Sequence, residues 1–158
     1  MKIVVMSDTH LNRVSDELED ICARYCDGAD LVIHLGDWVS ASVLDYMSQY
    51  PLEAVAGNTD NYDIHDRLPV KKVVRVGGRR IGIIHGWGSS GNIRGRLRHE
   101  FPDVDAVLFG HTHQPLRLEE DGIFWFNPGS VFAGRGDPRR SLGILHVDGR
   151  IEGEIIPL

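Results

Sequence analysis

The sequence predicts an α/β fold, a four-layer α/β/β/α sandwich in which two mixed β-sheets are flanked by helices. Three observations support this prediction: short apolar runs that each end in a polar or glycine-rich break, helical segments between the first of these runs, and glycine turns between the later ones. Runs rich in Val and Ile, without polar alternation, are typical of strands buried on both faces. These runs lie at residues 3–6, 31–35, 52–56, 81–84 and 106–109.

Three segments between the apolar runs are predicted to be helices. Residues 16–26 carry apolar side chains in the i, i+3, i+4 pattern of one helix face. Ser40 can cap a second helix that ends before Pro51, and a third helix ends before Pro102, because a proline disfavours helical geometry in the residue before it. The front half of the chain is therefore expected to form parallel β-α-β units.

The second half of the chain predicts β-hairpins. Three dipeptides lie between β-rich segments and favour the hairpin turns that need positive φ: Gly77-Gly78, Asp121-Gly122 and Asp148-Gly149. A parallel front half is thus expected to meet a hairpin-rich back half. Because neither linkers nor repeats interrupt the pattern, we expect one domain that covers residues 1–158.

Length and composition fit a globular domain and exclude several protein classes. The chain has 158 residues, of which 42% are hydrophobic and 25% charged, and a formal net charge of -6. This balance excludes disordered, collagen-like and coiled-coil chains, and the acidity argues against bulk binding of nucleic acid or anionic membranes. The N-terminal apolar run is too short for a signal peptide, so we expect a cytoplasmic protein. Cys22 and Cys26 lack C-x-x-C spacing and are expected to be buried.

Seven polar residues follow closely behind the ends of the apolar runs. Parallel strands joined by crossovers end at the same edge of a sheet, so the first three clusters are expected to meet in one crevice. Carboxylates, a carboxamide and imidazoles in this number favour two hard or borderline divalent ions over copper(I) or an iron–sulfur cluster. The predicted ligands are Asp8, His10, Asp37, Asn58, His85, His111 and His113.

These residues belong to five short motifs that follow one another along the chain. The motifs are D-x-H at 8–10, G-D at 36–37, G-N-x-D at 57–60, H-G at 85–86 and G-H-T-H at 110–113, and N-P-G-S follows at 127–130. Together they resemble the calcineurin-like metallophosphoesterases, and most closely the small single-domain phosphodiesterase branch. One motif alone would be weak evidence, but five in order are specific.

The resemblance implies a role for each predicted ligand. Asp37 would bridge two metal ions; Asp8, His10 and His113 would complete the first site, and Asn58, His85 and His111 the second. Two divalent ions can share a hydroxide that attacks phosphorus in line with the departing alcohol. The expected function is a metal-dependent phosphodiesterase that hydrolyses small phosphodiesters through a dinuclear metal centre and a bridging hydroxide.

Further roles are expected around the metal ligands. Catalytic roles are predicted for Asp37, Asn58, His85 and Asp60, and substrate binding for Asn58, Thr59 and His111. Thr59 departs from the family pattern, since many relatives have a histidine there that contacts the phosphoryl oxygen. A threonine hydroxyl donates a hydrogen bond but supplies no proton near neutral pH, so the leaving-group step lacks its usual acid. Asp60 is expected to orient a ligand histidine or to hold the adjacent loop.

The resemblance also implies the cofactors and partners. Two divalent metal ions are expected, with Mn2+ as the first choice and Ni2+, Fe2+, Zn2+ and Mg2+ as alternatives. The expected partner is a small phosphodiester, with nucleotide-derived diesters among the candidates, and not a membrane or bulk nucleic acid; a homodimer is open. The alternative function is a non-catalytic protein-binding scaffold, because the fold also resembles the small retromer-type subunit. No predicted ligand is lost, which favours the enzyme.

Two other motifs have competing interpretations. Residues 86–91 satisfy G-x-G-x-x-G, but no acidic residue follows the next strand, so we favour glycines that admit a metal-bound phosphate over dinucleotide binding. In the loop that carries Arg135, Arg139 and Arg140, an arginine could clamp phosphate, although simple solvent exposure is favoured.

Several aromatic and histidine residues lie outside the motifs, and ordinary structural roles are considered for each of them. Trp87, Trp125 and Phe132 could stack on a nucleobase or aryl group, but ordinary packing is equally supported. His34 is expected to be a hydrogen-bonded core residue. Solvated or packing roles are expected for His65 in a loop, His99 on a helix and His146 in a late strand.

Overall fold

The computed structural model describes residues 1–132 and 138–158 of the chain. In these ranges one five-stranded sheet is built from both ends of the chain. Its strands are β1 (Lys2–Met6), β2 (Leu31–His34), β3 (Leu52–Ala54), β9 (Ser141–Asp148) and β10 (Arg150–Pro157). They follow the order β10-β9-β1-β2-β3. Strands β1, β2 and β3 are parallel, whereas β9 is antiparallel to both β1 and β10, so the sheet is mixed.

The second five-stranded sheet comes from the middle of the chain. Its strands are β4 (Lys71–Val76), β5 (Arg79–Ile84), β6 (Ala106–Phe109), β7 (Leu116–Glu120) and β8 (Ile123–Asn127). They follow the order β4-β5-β6-β8-β7. The three central strands are parallel, and the two edge strands are antiparallel to their neighbours.

Within the described ranges, four helices cover the outer faces of the two sheets. They are α1 (Asp16–Tyr25), α2 (Ala41–Met47), α3 (Tyr62–Arg67) and α4 (Ile93–Arg98). The first three pack on the outer face of the first sheet, and α4 packs on the outer face of the second. The inner faces of the two sheets pack against each other. The predicted α/β/β/α sandwich is therefore confirmed.

The alternation of side chains along each strand explains this layering. Ile3 and Val5 point into the core between the sheets, while Val4 and Met6 point toward the helices. All four are fully buried because both faces of the strand are covered. This double burial accounts for the apolar runs without polar alternation in the sequence.

The capping predicted for α2 is confirmed, but α3 corrects one prediction. The Ser40 side chain accepts a hydrogen bond from the Ser42 backbone N–H at 3.2 Å. His65, expected in a loop, lies in the short helix α3, where only Ile64 is buried. One buried side chain produces no apolar periodicity, so the sequence carried no helix signal there. Asn61 caps this helix by accepting from the Ile64 N–H at 3.3 Å.

The three predicted hairpins are present, but they do not all belong to one sheet. The turns at Gly77-Gly78 and Asp121-Gly122 join strands of the second sheet, whereas β9 and β10 return to the first sheet beside β1. Cys22 and Cys26 are buried free thiols, as expected. Among the described residues, no helix combines the length and apolar character needed to cross a membrane.

Candidate metal centre

The predicted ligands lie at one edge of the sandwich, where parallel strands of both sheets end. Met6 pairs with His34 at the ends of β1 and β2, and Ile84 pairs with Phe109 at the ends of β5 and β6. The loops that follow these strands therefore start side by side. The backbone N–H of His111 donates to Asp8 Oδ2 at 3.1 Å, which ties a loop of the second sheet to a loop of the first.

The backbone at this edge adopts unusual conformations. Five predicted ligands have left-handed φ angles: Asp8 (54°), His10 (48°), Asp37 (59°), His111 (66°) and His113 (58°). Positive φ is uncommon for residues other than glycine and is unfavourable by roughly 1–2 kcal/mol. Several such residues in one place are typical of functional sites, where surrounding contacts maintain the strain.

Close approach of two loops fixes the position of Asp37. A Cβ atom on Gly36 would lie 2.7 Å from the Gly57 N, and one on Gly57 would lie 2.2 Å from Asp37 Oδ1. Both glycines are therefore required where the chain leaves β2 and β3. The Thr59 N–H then donates to Asp37 Oδ1 at 2.9 Å, so the loop that carries Thr59 orients this carboxylate.

A first group of ligand atoms surrounds the buried Asp8 carboxylate. Asp8 Oδ1 lies 3.2 Å from His113 Nε2 and 3.5 Å from His10 Nε2. These three residues have the mutual distances of a possible metal-binding set. Asp8 is fully buried, whereas His10 is about 30% exposed at its side chain, so this group lies close to the surface on one side only.

A second group contains the other buried carboxylate. Asp37 Oδ2 lies 3.2 Å from His85 Nε2 and 3.5 Å from His10 Nε2. Asp8 Oδ1 is 3.8 Å from the same His85 nitrogen, so Asp8, Asp37 and His85 form another possible metal-binding set. Both carboxylates therefore face histidines of both predicted sites, and Asp8 is shared as much as Asp37.

The remaining two predicted ligands face each other at the rim. His111 Nδ1 lies 3.3 Å from Asn58 Oδ1. His111 is buried and Asn58 is exposed, so their pair connects the buried groups to the solvent side. The His111 and His85 rings are 5.4 Å apart in an edge-to-face arrangement. All seven predicted ligands thus lie in one region.

Backbone carbonyls determine which nitrogen each of two histidines presents. His85 Nδ1 lies 2.8 Å from the Leu35 carbonyl, and His111 Nε2 lies 2.7 Å from the Gly88 carbonyl. A carbonyl oxygen only accepts hydrogen bonds, so these two nitrogens carry the protons. In the neutral rings, His85 Nε2 and His111 Nδ1 then present lone pairs toward the oxygens of Asp37 and Asn58, as in a metal site with carbonyl-anchored histidines.

The arrangement fits divalent cations for a second reason. In the part of the chain that the structure describes, five clustered and buried atoms have no hydrogen-bond partner: Asp8 Oδ1, His10 Nε2, Asp37 Oδ2, His85 Nε2 and His113 Nε2. Buried polar atoms are nearly always paired, and buried charges are unfavourable without opposite charge. Cations between these atoms would satisfy all five together, and carboxylate with imidazole suits Mn2+, Fe2+, Zn2+ and similar ions.

The protonation of the metal-free cluster follows from the same contacts. Burial alone would raise the pKa of the Asp8 carboxyl, but its contacts with His10 and His113 outweigh burial and hold that pKa far below its usual range. Burial likewise opposes ionisation of Asp37 and His85, yet their mutual contact lowers the pKa of Asp37 and raises the pKa of His85. Both carboxyl groups therefore stay ionised and keep their negative charge within the cluster.

Asp60 holds the loops around the ligands. Its carboxylate accepts backbone N–H bonds from Gly57 at 2.7 Å, from Val39 at 2.8 Å and from Asp37 at 3.0 Å. Of the two roles expected for Asp60, these contacts support loop holding, since none of the bonds described for Asp60 involves a ligand histidine. Asp60 is thus a positioning residue, because it acts through Asp37.

Sequence reasoning gave no role to several other residues that support the site. Ser7 donates to Asp8 Oδ2 at 2.6 Å, and Ser130 donates to the Asp8 carbonyl at 2.8 Å. Asn127 donates to the Gly110 carbonyl at 2.9 Å. The signal for Asn127 and Ser130 was the N-P-G-S motif, which the resemblance noted without assigning a function.

Several secondary candidates lie away from the cluster or pack in the core. Trp125 is 2% exposed in the outer core of the second sheet, which excludes stacking on a ligand, and Phe132 packs against the first sheet. Arg140 pairs with Glu17 at 2.7 Å. Of the three arginines in the loop for which a phosphate clamp was weighed, Arg135 lies outside the described residues.

His34 is the hydrogen-bonded core residue that was expected. It is fully buried, its Nδ1 accepts from the Gly36 N–H at 3.1 Å, and its ring stacks on Trp38 at 3.5 Å. Burial is the main cause that lowers the pKa of His34 to about 3, so its ring is neutral. His34 therefore supports the turn that leads to Asp37.

Comparison with known proteins identifies the family. The model of the calcineurin-like phosphoesterase superfamily domain matches residues 1–150. A probable metallophosphoesterase of Methanocaldococcus jannaschii is 33% identical over 162 residues, covering 100% of this chain and 82% of that protein. Vacuolar protein sorting-associated protein 29 of Schizosaccharomyces pombe is 29% identical over 139 residues, covering 83% of this chain and 72% of that protein.

A solved structure agrees with the sequence comparisons. A protein described as a novel archaeal phosphodiesterase superimposes with a TM-score of 0.76 at 27% identity, covering 100% of both chains. The match to the family model extends over almost the whole chain and includes every predicted ligand. This chain therefore belongs to the calcineurin-like phosphoesterase superfamily.

Proposed function

We propose that this protein is a metal-dependent phosphodiesterase that hydrolyses small phosphodiesters at a dinuclear centre. The observation that carries the proposal is the cluster of five buried ligand atoms that lack hydrogen-bond partners among the described residues. Membership of a phosphoesterase superfamily supports a hydrolase. The similarity to an archaeal phosphodiesterase favours diesters as the substrates.

The proposed ligands divide into two sets with shared carboxylates. Asp8, His10 and His113 would hold one ion, and Asn58, His85 and His111 the other. Asp37 is the proposed bridge, which its distances of 3.5 Å to His10 and 3.2 Å to His85 support. Asp8 Oδ1 also faces both sets, so two negative charges would lie between two divalent cations. We propose Mn2+ as the first choice, with Ni2+, Fe2+, Zn2+ and Mg2+ as alternatives.

Two divalent ions held here would lower the pKa of a water molecule toward neutrality and neutralise the oxygens of a phosphoryl group. The side chains of this protein then orient the reactants. Asn58 and His111 lie at the exposed rim and are proposed to position the diester phosphate. His85 keeps its Nε2 aimed into the site because its Nδ1 is anchored on the Leu35 carbonyl.

Thr59 sets a limit on the chemistry. Its side chain is exposed beside Asn58, where a hydroxyl can donate a hydrogen bond to the phosphoryl group but is too weak an acid to protonate a leaving alkoxide. The site is therefore proposed to favour diesters whose leaving group departs as a stable anion, such as a phenolate. Phosphomonoesters of simple alcohols should be poor substrates.

The first test is hydrolysis of an aryl phosphodiester by the purified protein. Activity should appear when the chelated protein is reloaded with Mn2+ and disappear again with excess chelator. A mock reload with Ca2+, which prefers oxygen ligands, controls for nonspecific effects of divalent ions. Hydrolysis that persists unchanged in chelator would contradict the proposal.

A specific observation also supports a second candidate, a non-catalytic protein-binding scaffold. One relative is named for vacuolar protein sorting and covers 83% of this chain. All seven predicted ligands are present and lie in one region, which favours the enzyme. The absence of hydrolysis at high protein concentration, with Mn2+ bound, would favour the scaffold.

Three broader features are proposed alongside the activity. We propose that residues 1–158 form one domain and that the protein is cytoplasmic; the two free, buried cysteines are compatible with a reducing compartment. A homodimer stays a prediction. Light scattering of the purified protein would measure its mass, for comparison with the 17.7 kDa of one chain.

A further inference from the structure

A small pocket opens beside the proposed metal site. Two proposed ligands, Asn58 and His85, line it together with Val70, Ile84 and Trp87. Its volume is about 270 Å³, just below the ~300 Å³ at which whole small-molecule sites begin. The pocket is therefore of a size for one chemical group of a substrate whose phosphate lies at the metal site.

Two exposed apolar side chains line this pocket. Trp87 is 43% exposed and Val70 is 60% exposed, although both are large hydrophobic residues. In the described part of the chain few large apolar side chains are this exposed, and two of them share one concavity next to a polar cluster. Exposed apolar surface grouped in this way is typical of ligand-binding sites.

The charge of the pocket wall excludes a second phosphate as the preferred occupant. Lys71 is the one lysine or arginine among the lining residues that the structure describes, and its Nζ pairs with Glu100 Oε2 at 2.6 Å. The opposite charges of Lys71 and Glu100 cancel, so this wall offers no unpaired positive charge. A substrate group that carried another phosphate would find no uncompensated cation there, whereas an uncharged ring would bury the apolar walls.

Hydrogen bonds from Arg96 and His111 hold the backbone around Trp87. Arg96 of α4 donates to the Trp87 carbonyl at 2.7 Å and to the Gly91 carbonyl at 3.1 Å. The next residue, Gly88, accepts from His111 Nε2 at 2.7 Å. The backbone that carries the indole is therefore held at a fixed position relative to a proposed metal ligand, which suits a specificity pocket beside a reaction centre.

We propose that this pocket binds an aromatic ester group of the phosphodiester, stacked against Trp87, while the phosphate lies at the metal site. The inference rests on the proposed function, because it assigns the pocket to the same substrate. The substrate class is then an aryl or nucleoside-like phosphodiester with one uncharged ring in the pocket. Diesters with two small alkyl groups, and substrates with a second phosphate at this position, are disfavoured.

The test compares the binding of phenyl phosphate and methyl phosphate to the Mn2+-loaded protein by titration calorimetry. Because stacking of the ring on Trp87 adds to the burial of apolar surface, the wild type should bind phenyl phosphate ~2–13-fold more tightly than methyl phosphate. Trp87→Ala should reduce this ratio to within about twofold and leave methyl phosphate binding unchanged. Trp87→Phe should restore most of the preference.

Tyr62→Ala is the matched control, since Tyr62 is an aromatic residue that is 80% exposed and does not line the pocket. It should leave the ratio unchanged. Equal affinities of the wild type for both ligands would overturn the inference and leave the pocket to another occupant, such as a protein side chain. Equal weakening of both ligands by Trp87→Ala would overturn it too, because Trp87 would then act only through His111.

Failure of the proposed function would give a different binding result from failure of the pocket assignment. If neither phosphate ester binds, or if both bind equally well in chelator, the dinuclear site is absent and the inference falls with it. If both bind only with metal but without preference for the ring, the metal site stands and the pocket assignment is wrong.

Discussion

Positive φ angles occur at both edges of the sandwich, but at one edge larger side chains also adopt them. At the edge formed by the hairpin turns they belong to small or turn-favouring residues: Gly77, Gly78, Asp121, Gly122 and Gly149. At the opposite edge they occur at glycines such as Gly36 and Gly86, but also at five predicted metal ligands: Asp8, His10, Asp37, His111 and His113. The same backbone conformation thus serves hairpin geometry at one edge and side-chain placement at the other.

The polar contacts of the two edges differ in the same way. At the hairpin edge, Arg79 pairs with Asp105 at 3.3 Å, and both side chains are more than a third exposed. At the ligand edge, Asp8 and Asp37 are fully buried, and each has an oxygen without a hydrogen-bond partner among the described residues. Exposed pairs contribute little to stability, whereas buried unpaired charge is unfavourable. The ligand edge therefore retains features that folding alone would disfavour.

The largest loss of activity is expected when a proposed metal ligand at the ligand edge is removed. Asp37→Ala and His85→Ala should each lower kcat/KM for an aryl phosphodiester by about a thousandfold or more, since the metal functions supply several kcal/mol of transition-state stabilisation. Both variants should still fold, because neither side chain belongs to the apolar core clusters that hold the sheets and helices together.

His146→Ala is the control for His85→Ala. His146 is an exposed histidine on β9 that pairs with Lys2, at the end of β1 opposite to the ligand edge. Circular dichroism should show folded protein for all three variants. Near-normal turnover by either ligand variant would refute the assignment.

A smaller effect is expected from the residue that holds the ligand loops. Asp60→Asn replaces one acceptor oxygen by a donor, so the three N–H bonds from Gly57, Val39 and Asp37 can no longer all be made. We expect a ~10- to 100-fold loss of Mn2+ affinity, as for other groups that support a ligand, measured by calorimetry. Asp66→Asn, an exposed aspartate on α3, should leave the affinity unchanged.

The pH dependence of stability should differ between the metal-free and metal-loaded protein. The raised pKa of His85 in the folded state stabilises the metal-free protein below the usual value of 6.5, and this contribution is lost as the pH rises through the folded pKa. The lowered pKa of Asp8 stabilises it above 3.8, and this is lost as the pH falls. In chelator, the melting temperature should therefore fall by a few degrees above neutral pH.

With Mn2+ bound, the trend above neutral pH should reverse, because metal binding requires the neutral imidazole. Differential scanning calorimetry between pH 5 and 9 measures both trends. The same alkaline slope with and without metal would argue against His85 as a ligand.

The smallest effect tests the hairpin edge. Gly122→Ala should lower the free energy of unfolding by ~1 kcal/mol, because its φ of 76° disfavours a side chain, although a Cβ there would meet no atom within 4 Å. Activity should be unchanged. Chemical denaturation and the diesterase assay check the two parts, and a loss of activity would show that the two edges are coupled.

The sequence was most informative where short-range patterns coincide with topology. Apolar runs marked the buried strands, and the parallel strands β1, β2 and β3 bring Asp8, Asp37 and Asn58 to one edge, so the proximity of their loops followed from topology. His85 follows β5 of the second sheet, so its place beside them depends on how the two sheets pack. The hairpin dipeptides likewise marked the turns. The final hairpin was harder, because nothing local in residues 141–157 specifies that β9 pairs with β1 rather than with a strand of the second sheet.

Contacts that involve the backbone could not be predicted. The anchoring of His85 on the Leu35 carbonyl and of His111 on the Gly88 carbonyl depends on where distant loops meet, and a carbonyl has no signature in a sequence. Arg96 was one of three arginines on a helix with no feature to distinguish it, yet it braces the loop at Trp87. Such supporting roles depend on tertiary structure.

The central claim is that the polar edge binds two divalent ions, and anomalous diffraction from Mn2+-loaded crystals tests it most directly. Two peaks ~3.5–4 Å apart are expected, one beside His10 and His113 and the other beside His85 and His111, with Asp37 between them. A single peak, or peaks away from these residues at saturating Mn2+, would contradict the account.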